Sequence, residues 1–134
     1  IDCTDNPSTG FVVGACYDRE DPDNIKKVRG VNAQSLSRGK GWKTPESMIA
    51  APCDYRTVAE HYEKGNPSYY YTGGGGLSWS IPYVSGVLAL GWSINPSLTE
   101  DEIVKILMDT AYVNEYDERI IYPTAFIEAV EKAV

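Results

Sequence analysis

Residues Gly73 to Trp92, GGGGLSWSIPYVSGVLALGW, set Ser78 between four consecutive glycines and an apolar segment of small residues. A serine hydroxyl is a weak nucleophile until a neighbouring base takes its proton. The glycines allow backbone to approach backbone at dihedral angles that other residues avoid. A helix starting near Ser78 would aim its free N–H groups and positive dipole end at the same point. The Ser78 N–H could then stabilise the oxyanion of a tetrahedral intermediate. Taken alone, the glycine run reads as a flexible connector. Its catalytic reading depends on the residues that follow it.

Three serine-enzyme signatures can be tried against the chain. Ser37-Arg-Gly-Lys40 matches S-x-x-K, and Lys43-Thr44 matches half of K-T-G, but S-D-N is missing and Pro45 follows the threonine. The segment reads as a solvated loop. Gly76-Leu-Ser78-Trp-Ser80 nearly matches the G-x-S-x-G elbow of α/β-hydrolases. That arrangement needs an acid and a histidine after the serine, and the only histidine, His61, precedes it.

The third signature fits better. Gly76-Leu-Ser78-Trp-Ser80-Ile-Pro82-Tyr-Val84-Ser-Gly86 resembles G-T-S-x-[SA]-x-P-x-[AV]-[AG], the serine signature of the subtilisin-like peptidases. Gly, Ser, Ser or Ala, and Pro at these offsets arise by chance in roughly one chain in two hundred of this length. Phe11-Val-Val-Gly-Ala15 is similar to the family's strand ending in V-G-A, and Ile49-Ala-Ala-Pro52 to its A-P-G segment. Asn95-Pro-Ser-Leu-Thr99, the helix after it and Thr110-Ala111 follow in the family's order. Ile121 to Val134 takes the place of its closing helix. Leu77, Tyr83 and Cys53 depart from the pattern, standing where the family has threonine, histidine and glycine.

The resemblance implies the C-terminal portion of one subtilisin-like catalytic domain over residues 1–134, with the N-terminal portion upstream. It implies an α/β fold with short, mostly parallel strands, a buried helix running from the catalytic serine, and two further helices. Ser78 would be the nucleophile of a serine endopeptidase. The family's triad runs Asp, His, Ser along the chain, so its first two members would lie before Ile1, as would the asparagine that donates to the oxyanion. Asn6 is too close to the Val13-Gly14 strand end to match that asparagine. No cofactor is implied. The partners would be a protein or peptide substrate and the missing half of the domain, in an extracellular or cell-envelope setting. The isolated piece is then expected to be inactive. The departures motivate a rival reading, a pseudopeptidase serving as a binding or structural module.

The elements that must position Ser78 follow from pattern. Gly10 to Cys16 and Met48 to Ala51 are short apolar runs that read as buried strands. Ile25 to Val31 is a further strand candidate. Thr57–Tyr62 and Ser68–Tyr71 read as strands about a turn at Lys64-Gly-Asn-Pro67. A helix is expected from about Ser78 to Trp92, with Pro82 in its first turn and apolar residues on most sides, hence buried. Thr99 and Glu102 form a capping box, with Leu98 and Ile103 as the matching hydrophobic staple. A third helix starts at Pro123 and turns Phe126, Ile127, Val130 and Ala133 toward a core. Strands first and helices later give an α/β or α+β domain.

Composition sets the outer bounds. The 134 residues carry a net charge of −7, with 43% hydrophobic and 23% charged side chains. That balance suits one globular domain and argues against nucleic acid, which needs a basic face. No apolar run reaches membrane-spanning length, and no membrane partner is expected. The chain begins at Ile1 rather than methionine and is read as a piece of a longer product, so it says nothing about a secretion signal. Cys3, Cys16 and Cys53 lack C-x-x-C spacing and read as small hydrophobes. His61, in the charged stretch Ala59–Glu63, reads as solvated or locally bonded. Asp18 to Asn24 reads as a solvated acidic turn rather than a calcium loop. Tyr69–Tyr71 reads as half-buried packing rather than a substrate cleft.

Overall fold

The computed structural model describes residues 11–31, 47–73 and 75–133. Cys3, Asn6 and the Ser37–Lys40 loop lie outside the described residues.

Two strands carry the centre of the fold. β1 (Val12–Cys16) and β3 (Ile49–Pro52) pair in parallel, with Val12 opposite Ile49 and Ala15 opposite Pro52. Both are continuous apolar runs because both of their faces are covered. Val12, Ile49 and Ala51 face a core built with the helices, whereas Val13, Ala15 and Ala50 face a second cluster with Val28, Met48 and Ile120.

The five-stranded sheet has the order β2 (Arg29–Val31), β1, β3, β7 (Arg119–Ile120), β6 (Tyr112–Val113). β2 runs antiparallel to β1, and β7 runs parallel to β3 and antiparallel to β6. The expectation of mostly parallel strands is therefore corrected: the central ladders are parallel and both outer ladders antiparallel. The strand candidate at Ile25–Val31 also divides. Ile25–Lys27 forms a 3-10 turn, because the Asn24 side chain accepts the Lys26 N–H and starts a helical turn. The pair β6–β7 breaks the order of strands first and helices later. Asn114 closes that hairpin by accepting the N–H groups of Tyr116 and Glu118. Separately, β4 (Arg56–Glu63) and β5 (Asn66–Thr72) form an antiparallel hairpin turning at Gly65, whose φ is +82°.

α1 (Ser80–Ile94) packs Val84, Val87, Leu88 and Gly91 against β1, β3 and the other helices. Its opposite side is open: Ser85, Gly86, Ala89 and Leu90 are exposed, Leu90 at 57%. A helix apolar on most sides was expected to be buried, and within the described residues only one face is covered. α2 (Glu100–Asp109) begins at the expected capping box: the Thr99 hydroxyl accepts the Glu102 N–H at 3.3 Å, and Glu102 accepts the Thr99 N–H at 2.8 Å. Leu98 and Ile103 both join the core cluster, as a staple requires. α3 (Pro123–Lys132) buries Phe126 and Val130 and half-buries Ile127, but Ala133 falls past its end and is exposed. Among the described residues no helix is long and apolar enough to cross a membrane.

Candidate functional site

The site is built where the carboxyl ends of β1 and β3 meet the start of α1. Ser78 sits in a 3-10 turn, Leu77–Trp79, immediately before α1, and is exposed. The expected helix start near Ser78 is thus a tight turn, with α-helix from Ser80. Two hydrogen bonds to neighbouring carbonyls of β3 and its extension hold the turn. The Gly76 N–H donates to the Cys53 carbonyl at 3.0 Å, and the Ser80 hydroxyl, fully buried, donates to the Ala51 carbonyl at 3.0 Å. Ser78 is therefore anchored two residues before and two residues after itself. The Trp79 N–H donates to the Gly76 carbonyl at 3.0 Å and closes the turn.

The glycines have a steric role here. A Cβ on Gly75 would lie 2.9 Å from the Cys53 carbonyl oxygen, and one on Gly73 would lie 2.8 Å from Cε1 of Tyr55. Gly73 and Gly75 thus approach Cys53–Tyr55 too closely for a side chain. No side chain caps α1; the 3-10 turn runs straight into it, so the free N–H groups at this end belong to the turn that carries Ser78.

Beside Trp79 lies a pocket of about 180 Å³. Tyr17, Cys53, Asp54, Arg56, Trp79 and Tyr83 are among the residues that line it. The Arg56 guanidinium lies 3.9 Å from the centre of the Trp79 ring, and Arg19 stacks at 4.4 Å on Tyr55. The Tyr17 and Tyr83 hydroxyls are 3.4 Å apart. Burial, and then the Tyr83 hydroxyl, push the Tyr17 phenol well above its ordinary range.

Sequence reasoning missed one cluster. Cys16, Cys53 and Asp54 present two sulfurs and a carboxylate oxygen within 4.8 Å of one another. Cys53 is 1% exposed and Asp54 9%. The Cys16 thiol is pushed up, chiefly by its hydrogen bond to Cys53 and then by burial, while the same bond pulls Cys53 down. Burial raises Asp54, partly offset by a hydrogen bond from the Cys16 thiol, then by its own backbone N–H and the charges of Arg56 and Arg19. The cysteines are 37 positions apart in sequence, and only the register of β1 on β3 brings them together.

His61 lies on β4 opposite Pro67, in the hairpin rather than in the five-stranded sheet; its side chain lies outside the described residues. The acidic turn uses its own carboxylates: Asp18 accepts the Glu20 and Asp21 N–H groups, and Asp21 takes Asn24 and Lys27. Tyr70 is about half-buried as expected, at 46% exposed, whereas Tyr69 and Tyr71 are 72% and 62% exposed. Among the described residues the hairpin pairs with no other strand, so no sheet extends over its edges.

No protein-family model and no curated protein matches the chain. Solved structures share its fold. One is the A-subunit of the AB5 toxin from E. coli, at TM-score 0.62 and 21% identity over 89% of this chain and 37% of that one. Another is a protease from Pseudoalteromonas arctica PAMC 21717, at TM-score 0.50 and 23% identity over 75% of this chain and 32% of that one. The chain thus has a mixed α/β fold that recurs within larger proteins, one of them a protease, and it spans about a third of their length.

Proposed function

We propose that the chain is the serine-bearing part of a subtilisin-like serine endopeptidase, with Ser78 as the nucleophile. The observation that carries this reading is the double anchoring of an exposed serine, by Gly76 on Cys53 and Ser80 on Ala51, at the uncapped start of α1. A nucleophile must be reachable yet fixed, because about 1 Å of misplacement costs on the order of a hundredfold in rate. The fold it shares with part of a protease adds support.

In this reading Ser78 Oγ attacks the scissile carbonyl as a base takes its proton; the base passes that proton to the amine as the C–N bond breaks, leaving an acyl-enzyme that water then hydrolyses. The charge that develops on the carbonyl oxygen meets the Ser78 N–H and the positive end of α1. The base, its orienting carboxylate and a second oxyanion donor come from residues outside these 134. The open face of α1, with Gly86, Ala89 and Leu90, is where that missing portion packs. The exposed Tyr69–Tyr71 strand leads directly into the glycine run and offers an extended peptide aromatic surface.

The test is covalent. A fluorophosphonate probe applied to the longer protein carrying this chain should modify Ser78, and Ser78→Ala should abolish the modification. Equal labelling of the mutant refutes the assignment. A folded longer protein that takes no label supports a non-catalytic module instead.

A further inference from the structure

We propose that Cys16, Cys53 and Asp54 form a binding site for one divalent cation of the zinc class, held by two thiolates and a carboxylate. The inference is independent of any role for Ser78. It begins with the register of the parallel strands. Ala15 pairs with Pro52, and the Cys53 N–H donates to the Ala15 carbonyl at 3.0 Å. The next residue along β1 is Cys16, so the two cysteines leave the strand ends side by side. Asp54 follows Cys53 directly and brings its carboxylate to the same point, with all three ligand atoms within 4.8 Å of one another.

An independent observation points to a ligand. Asp54 is only 9% exposed; its carboxylate is bonded by the Cys16 thiol and its own N–H, but Oδ1 is sequestered from solvent with no hydrogen-bond partner among the described residues. A buried carboxylate oxygen without a partner is costly. A bound cation supplies what it lacks.

The geometry suits a tetrahedral ion. With metal–sulfur bonds of about 2.3 Å and metal–oxygen bonds of about 2.0 Å, ligand atoms stand about 3.5–3.8 Å apart. The present spacing reaches this with side-chain movements of about 1 Å or less. The donor set selects the metal: calcium and magnesium take oxygen ligands, whereas paired thiolates favour zinc and its neighbours. Binding releases the thiol protons. Two thiolates and one carboxylate around a doubly charged ion leave a net charge of −1. Arg19 and Arg56, whose charges act on Asp54, offset it. Cys53 and Asp54 also line the pocket beside Trp79, which gives the ion a route in and leaves a fourth position for solvent.

The position gives the ion a structural consequence. It ties the end of β1 to the end of β3 at the residue whose carbonyl holds Gly76. Metal occupancy would therefore stiffen the glycine run that leads to Ser78.

The experiment uses the full 134-residue chain, reduced, freed of metal and titrated with Co²⁺ and Zn²⁺. One ion per chain is expected, with a thiolate-to-cobalt charge-transfer band and tetrahedral visible bands that zinc displaces. Zinc should protect Cys16 and Cys53 from alkylation, mapped by mass spectrometry, which needs no variant to fold. Cys16→Ser and Cys53→Ser should each lose the band, Cys3→Ser should keep it, and Asp54→Asn should weaken binding by about tenfold or more. Failure of the reduced chain to bind either ion overturns the proposal, as does binding that follows Cys3. Ready formation of a Cys16–Cys53 disulfide with no uptake of metal after reduction also overturns it and makes the pair a redox site.

Discussion

Two glycines on one helix should respond to the same substitution with opposite signs. A Cβ added at Gly91 would lie 2.6 Å from Cζ and 2.9 Å from Cε1 of Phe126, and 3.0 Å from Cδ1 of Ile103. Comfortable carbon contacts are about 3.5–4.0 Å, so the ring or the helix must move by about 1 Å. Phe126 and Ile103 are both fully buried in the main core and have nowhere open to go. Overpacking of this kind costs about 1–3 kcal/mol, and this contact belongs in the upper half of that range. Alanine returns about 1 kcal/mol of helix propensity. Gly91→Ala should therefore lose about 1–2 kcal/mol net. Gly86 is exposed with nothing within 4 Å of its added Cβ, so Gly86→Ala keeps the propensity gain of about 1 kcal/mol. For a chain of this length 1 kcal/mol moves the melting midpoint by about 3–4 °C. Thermal melts of the two variants should lie about 6–12 °C apart, on either side of wild type. If Gly91→Ala melts at or above wild type, the α1–α3 contact is not packed as described. If the proposed upstream portion packs on the open face of α1, the Gly86→Ala gain should vanish or reverse in a longer protein that carries it. A gain that persists there argues that nothing docks on that face.

Thr99→Ala should cost about 1 kcal/mol by removing the acceptor for the Glu102 N–H, read from urea midpoints. The Thr99 N–H, and then its hydroxyl, hold the Glu102 carboxyl below its ordinary value. The box's carboxylate contribution is thus present above the unfolded-state pKa and lost as pH falls through the lowered folded one. Thr99→Ala keeps the backbone bond to Glu102 but loses the hydroxyl's, so its gap to wild type should narrow below about pH 4; a gap unchanged from pH 7 to pH 3 removes the hydroxyl–carboxylate bond from the account. Glu118 is 2% exposed and its Oε2 accepts from Arg29 Nε, the Gly30 N–H and Asn114 Nδ2 at 3.1, 2.9 and 2.8 Å. Glu118→Ala strands at least two buried donors and should lose about 3–5 kcal/mol in chemical denaturation, with Glu118→Gln losing less.

The parts legible in the sequence are those whose signals are local. The Thr99–Glu102 box, the Pro123 helix start and the apolar runs of β1 and β3 each lie within a few residues. Ser78 stood out because its glycines, its proline and the small-residue helix adjoin it in the chain. β7 was hidden, since two residues, Arg119 and Ile120, carry no period, and their pairing with β3 is a tertiary event. The exposure of Leu90 and of Tyr69–Tyr71 depends on what covers them, which an apolar pattern cannot specify. The cluster of Cys16, Cys53 and Asp54 was missed for a similar reason: strand register makes it, and spacing does not.

The central claim is that Ser78 performs nucleophilic attack with a base supplied from beyond these residues. The most direct measurement is turnover of casein by the longer protein, by its Ser78→Ala variant and by the 134-residue chain alone. Turnover by the longer protein is expected, with the variant and the isolated chain slower by on the order of 10⁶. Turnover by the isolated chain that is lost in both Ser78→Ala and His61→Ala would contradict the claim of an outside base. Undiminished turnover by Ser78→Ala in the longer protein would contradict the nucleophile itself.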